Sequence, residues 1–97
     1  MRKITQESIE AFNDNSNFKK SNTQVTCDAI STDLMLYGNH IATKNIRTGE
    51  ISISNCGYFT NTTKERLNGI SGVHIQQKIG VWYLNGEEWD GEWKTIK

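Results

Sequence analysis

The glycines of this chain stand singly, in pairs such as Gly38-Asn39, Ile79-Gly80, Asn85-Gly86 and Asp90-Gly91, and the runs they separate are short. Such pairs admit the positive φ angles of tight reverse turns, so the intervening runs read as strands. "TQVTCDAI", "TDLMLYG" and "HIATKNI" are rich in β-branched residues, and Gly38-Asn39 places a turn between the last two. "RTG" at 47–49 is another turn, leading into the alternating "EISIS", where Ile51 and Ile53 share one face. The first half therefore predicts an antiparallel meander.

Two segments carry a helical pattern instead. In "ITQESIEAF", Ile4, Ile9 and Phe12 fall on a helical stripe behind a Thr5 cap, and "NDNSN" stops the helix after about two turns. "TTKE" at 62–65 fits a capping box, with the Thr62 hydroxyl taking the Glu65 N–H and the Glu65 side chain reaching back. That helix runs through Arg66 and Leu67 to Asn68-Gly69, where glycine can take the left-handed terminating conformation. Both helices are short enough to depend on packing, through Leu67 and Ile70 in the second.

"GVHIQQKIGVWYLNG" reads as a hairpin turning at Ile79-Gly80, which sets Gln77 opposite Trp82 and Ile75 opposite Leu84. Val73, Ile75, Trp82 and Leu84 then share a face, and a turn at Asn85-Gly86 puts Trp89 across from Trp82 on it. Asp90-Gly91 complicates the pattern, because a second tight turn leaves only Glu87 to Trp89 between the two. If it does turn, Trp93 falls opposite Glu88 on the other face, beside Tyr83, His74 and Lys78. The expected class is α+β: one domain, an antiparallel sheet of about six strands with two short helices. Residues 1–20 form the N-terminal helix and loop, and 21–97 the sheet with one helix at about 62–68.

The composition allows only a thin core: 97 residues, a mean hydropathy of -0.63 and 35% hydrophobic residues. Eleven basic residues balance 11 acidic ones, so there is no overall field to draw the protein onto nucleic acid or an anionic membrane. "MRKITQESIEAF" lacks the apolar stretch of a signal peptide and no segment approaches a membrane span, so the protein is expected to stay in the cytoplasm where it is made, with no membrane partner. Cys27 and Cys56 are too few and too far apart for a disulfide framework, and read as free thiols on strands.

Chemistry finds little support. Cys27, Cys56, His40 and His74 show no nucleophile–base spacing and no close metal-ligand pair. Glu87, Glu88, Asp90 and Glu92 lack the offsets of a calcium loop and read as a solvated acidic edge. No enzyme activity, cofactor or metal is expected. Two binding classes remain. For nucleic acid, Tyr58, Phe59, Tyr83 and Trp93 would stack bases while Lys64, Arg66, Lys78 and Lys94 met phosphates, but zero net charge and acids beside the tryptophans oppose it. A protein partner fits better, because aromatic residues ringed by acids suit a basic surface.

"TTKERLNGI", a Gln-containing strand, "WYLNG" and "WDGEW" together resemble a group of small proteins encoded in tailed-phage genomes, over roughly residues 55 to 96. That group has no assigned catalytic or binding residues to carry over. What the resemblance implies is a setting: a phage accessory protein in the host cytoplasm, working against a host protein, with inhibition of a defence protein as one such role. Sequestering a signalling nucleotide is the other, and it would need a cationic pocket shared across a homo-oligomer. The expected contact patch is Tyr83, Trp93, Glu88 and Glu92, with Lys64 and Arg66 beside it. Trp82 and Trp89 are expected to be structural.

Overall fold

The structure is a computed structural model that describes residues 2–96. Helix α1 (Lys3–Asp14) buries Thr5, Ser8, Ile9, Ala11 and Phe12, the spacing of one helical face. It starts before the expected Thr5 cap: Arg2 occupies the cap position in extended conformation, and Thr5 lies inside the helix, buried. The far end is closed by Asn15 in the left-handed region and by Lys44, whose ammonium donates to the carbonyl of Phe12 at 2.6 Å.

Six strands form the larger sheet: β1 (Phe18–Lys20), β2 (Thr23–Cys27), β3 (Ser31–Leu36), β4 (Asn39–Asn45), β5 (Ile51–Ile53) and β9 (Lys94–Thr95), in the order β1-β2-β3-β4-β5-β9. Each neighbouring pair is antiparallel. The α+β class and an antiparallel sheet of about six strands, as read from the sequence, are thus present, although the hairpin over 75–84 expected among those strands lies in a second sheet. β1 falls in the stretch expected to be loop, folding back on β2 with Phe18 opposite Val25. The β3–β4 turn sits one residue earlier than expected, at Tyr37-Gly38, where both φ angles are positive (52° and 79°).

Strand β4 contains a bulge. Leu34 pairs with Ala42 and Met35 with His40, which leaves Ile41 as an extra residue without an opposite number. Strict alternation breaks there, so Ile41 and Ala42 are both buried.

A second, three-stranded sheet holds β6 (Ile75–Lys78), β7 (Val81–Leu84) and β8 (Glu87–Glu88). Its register is the expected one, with Gln77 opposite Trp82 and Ile75 opposite Leu84. Trp89 donates its backbone N–H to the Trp82 carbonyl at 2.9 Å, and the two rings lie 6.3 Å apart. Both are buried, as are Val73, Ile75 and Leu84. Asp90-Gly91 does not reverse the chain onto β8; the chain runs on into β9, which pairs with β5 in the other sheet. The placement of Trp93 opposite Glu88 depended on that turn and is corrected accordingly, since Lys94 and Thr95, which follow Trp93, pair with Ile53 and Ser52 on β5.

Helix α2 (Asn61–Asn68) joins the layers. Its cap is Thr60, whose hydroxyl accepts from the Thr63 N–H, in place of the expected Thr62 box. Gly69 ends it in a right-handed conformation, and its missing side chain matters for a different reason: a Cβ there would come within 2.6 Å of Ile9 on α1. The Asn68 amide brackets Ile75, accepting from its N–H at 2.6 Å and donating to its carbonyl at 3.1 Å, which ties α2 to β6. One apolar cluster, from Phe12 and Leu34 through Ile53 and Leu67 to Trp82 and Trp89, spans both sheets and both helices. No described helix is long and apolar enough to cross a membrane.

Candidate functional site

The segment after β5, "SNCGYF" at 54–59, is folded against the segment before β9. Asn55 and Ser54 both donate to the Gly91 carbonyl, at 3.0 and 2.9 Å, and the Ser54 backbone N–H donates to Ile41 at 2.9 Å. Cys56 and Gly57 then take positive φ angles (53° and 84°), closing a turn in which the Tyr58 N–H reaches the Asn55 carbonyl at 2.9 Å. The Asn55 side chain caps the same turn, accepting from the Gly57 N–H at 2.8 Å. Gly91, at φ +90°, lies so close to this amide that a Cβ on it would overlap the Asn55 side chain.

On the other wall, Trp89 donates its indole N–H to the Glu92 carbonyl at 2.9 Å and the Asp90 carboxylate accepts from the Glu92 N–H at 3.0 Å. Trp93 is half-exposed (52%), and Asp90 and Glu92 line the same groove. A groove of about 490 Å³ runs between residues 54–57 and 90–93. Two buried side-chain donors among the described residues have no partner, Asn55 Nδ2 and Trp82 Nε1. Each such orphan costs about 1–3 kcal/mol.

The expected contact residues divide. Trp93 and Glu92 line this groove, whereas Tyr83, half-buried on β7, and Glu88 face each other across the smaller sheet. Lys64 lies along that sheet, 5.9 Å from the Trp82 ring centre and 3.1 Å from Gln77 Oε1. Arg66 is corrected outright: only 1% of it is exposed, so it cannot meet a partner. It donates to Thr23 Oγ1 at 3.0 Å, to Glu65 Oε1 at 2.8 Å and to the Thr5 hydroxyl, which itself donates to Glu65 at 2.6 Å. The Thr5 bond, with help from Arg2 and Arg66, holds the Glu65 carboxyl below the usual carboxylate range. Burial pulls the Arg66 guanidinium down, against the opposing pull of Glu65.

Of the other residues weighed, Tyr58 and Phe59 are exposed at 53% and 52%, Phe59 standing edge-on to Trp82 at 5.1 Å. Lys94 pairs with Glu87 at 3.5 Å. Cys27 is a half-buried thiol on β2, but Cys56 is exposed in the turn rather than on a strand, with its thiol against the His40 carbonyl at 2.7 Å. Among the described residues no three His, Cys, Asp or Glu side chains converge as metal ligands would. The sequence reading missed Asn55 and Gly91, which build the groove. The signal for the first was "NCG", an Asn two residues before a Gly, the pattern of a side-chain-capped turn.

A family model described as Kyanoviridae Gp96 protein matches residues 1–96, so the likeness takes in the N-terminal third as well as the C-terminal half. No curated protein and no solved structure matches the chain.

Proposed function

The chain belongs to the Kyanoviridae Gp96 protein family, a family of phage proteins, and from that premise we propose that it is a non-enzymatic accessory protein that binds a basic surface on a host protein and inhibits it in the host cytoplasm. The observation that supports this reading most is the fate of the three tryptophans. Trp82 and Trp89 are 1% and 6% exposed, while Trp93 is 52% exposed on a groove rimmed by Asp90 and Glu92. A half-exposed indole on a concave, acid-flanked surface is the usual form of an interface anchor. With zero net charge, attraction has to be local, and those carboxylates would steer a cationic patch while turning a phosphate backbone away.

The test is to isolate tagged protein from host cells at low salt and examine it by native mass spectrometry. The expected result is a discrete host protein released by salt, whose binding falls at least about tenfold in Trp93→Ala, near 1.4 kcal/mol. Melting of Trp93→Ala should be unchanged, whereas Trp82→Ala or Trp89→Ala should each cost about 3–5 kcal/mol of stability. Equal thermal damage from all three, or undiminished binding by Trp93→Ala, overturns the assignment. Co-purified nucleic acid in place of a protein would transfer the function to the nucleic-acid alternative.

A further inference from the structure

The two walls of the Trp93 groove differ in character. Ser54, Asn55, Cys56 and Gly57 on one side are small or uncharged, while residues 90–93 on the other contribute an indole and two carboxylates. Asp90 gives one oxygen to the Glu92 N–H, and Glu92 has no ion-pair partner among the described residues. Lys94, the nearest lysine along the chain, is drawn to Glu87 at 3.5 Å, and among the described residues no basic side chain lines the groove. Both walls are fixed within the chain itself. The Ser54 hydroxyl and the Asn55 N–H share the Gly91 carbonyl, and beyond Trp93 the chain is pinned to β5 by Lys94 opposite Ile53 and by the Ile96 N–H on the Ile51 carbonyl at 2.8 Å.

Resting on the reading of this groove as the partner-binding site, we infer that its occupant is an arginine side chain of the partner, the guanidinium laid on the Trp93 indole and its N–H groups turned to the carboxylates of Asp90 and Glu92. Two carboxylates with no cation in their groove call for a positive guest, and the exposed indole selects among positive guests. A lysine ammonium is a compact, strongly hydrated point charge, so it is drawn to the carboxylates and gains little from the ring. A guanidinium is planar and weakly hydrated; it stacks on an aromatic face and still presents donors in its plane to a carboxylate. The groove, at about 490 Å³, has the volume of an ordinary side-chain or ligand pocket, and the small residues at 54–57 leave room for the aliphatic stem. An anionic guest would meet Asp90 and Glu92 as like charges. Because both walls are already fixed, little ordering cost falls on the protein when the guest enters.

The experiment titrates the isotopically labelled full chain with acetyl-Gly-Arg-Gly-amide and with its lysine and citrulline counterparts, following the Trp93 indole resonance and the amides of Cys56, Gly57 and Glu92. The expected result is saturable arginine binding with Kd of about 1 mM, lysine binding about tenfold weaker, and weaker binding still for citrulline, which keeps the planar shape without the charge. Glu92→Gln and, separately, Trp93→Ala should each weaken arginine binding by about fivefold or more. Saturating arginine peptide should also slow alkylation of Cys56 by iodoacetamide, since that thiol is exposed on the groove wall, and leave Cys27 on β2 unaffected. Lysine binding as tight as arginine binding overturns the inference and leaves the wider reading of a basic partner standing. Citrulline binding as tight as arginine, unchanged affinity in both variants, or an unprotected Cys56 also overturns it. So does the absence of any saturable shift with the arginine peptide, and loss of the co-purified host protein in Trp93→Ala then decides separately whether the groove is a partner site at all.

Discussion

A single hydrogen atom at Gly91 decides whether the groove exists, because its Cα lies against the Asn55 amide and its φ of +90° is one that side chains resist. Gly91→Ala should therefore destabilise by about 2–4 kcal/mol, summing overpacking and left-handed strain, in urea unfolding. A loss under about 1 kcal/mol would show that Asn55 moves aside freely. Ile79 presents the opposite case: a β-branched residue held at φ 50° with its side chain fully in solvent. Ile79→Asn should stabilise by about 1 kcal/mol, since Asn tolerates this region and no packing is lost. Destabilisation in the same measurement would mean that the Ile79 side chain has contacts the structure does not show. The Ile79-Gly80 turn was legible because one dipeptide specifies it. The Asn55 turn had a local signal in "NCG", but the place of Asn55 in the groove did not, because it comes from a glycine 36 positions later along the chain and no local pattern records that approach.

The two helices show what happens when an element's ends are decided elsewhere. Thr5 and Glu65 both have the chemistry of caps, but the buried Arg66 recruits them into one network joining α1, α2 and β2, and the caps fall to Arg2 and Thr60. Helix existence was legible in the sequence, and helix starts were not, because a tertiary partner outbids a local one for the same hydroxyl or carboxylate. The network also sets a pH dependence. Glu65's folded pKa lies below its unfolded value, so the unfolded chain takes up the proton first as pH falls. Its stabilising contribution is complete above the usual glutamate range, about 4.3, and is lost as pH drops through the depressed folded value. Glu65→Gln should lower Tm at pH 7 and leave a progressively smaller difference from wild type below pH of about 4, as checked by melts across that range. A difference that persists unchanged into acid would assign Glu65 a purely steric role.

Across the whole molecule, turn chemistry and alternation identified β2 to β7 and the register of the β6–β7 hairpin, but not the short edge strands β1 and β9 or the division of the strands between two sheets. Periodicity states which side of a strand is apolar; it carries nothing about which edge that strand will join. Asp90-Gly91 shows the difference: the pair has the composition of a hairpin turn, yet it serves as the crossing from the smaller sheet to the edge of the larger one. The Trp93 groove is assembled at that crossing, where the backbone groups of Asn55 and Gly91, 36 positions apart, meet. Neither sheet contains it alone, and no contiguous peptide could reproduce it. If a partner is recognised at this place, as proposed, the groove would work as a coincidence detector, because it exists only when both halves of the chain have reached their final arrangement.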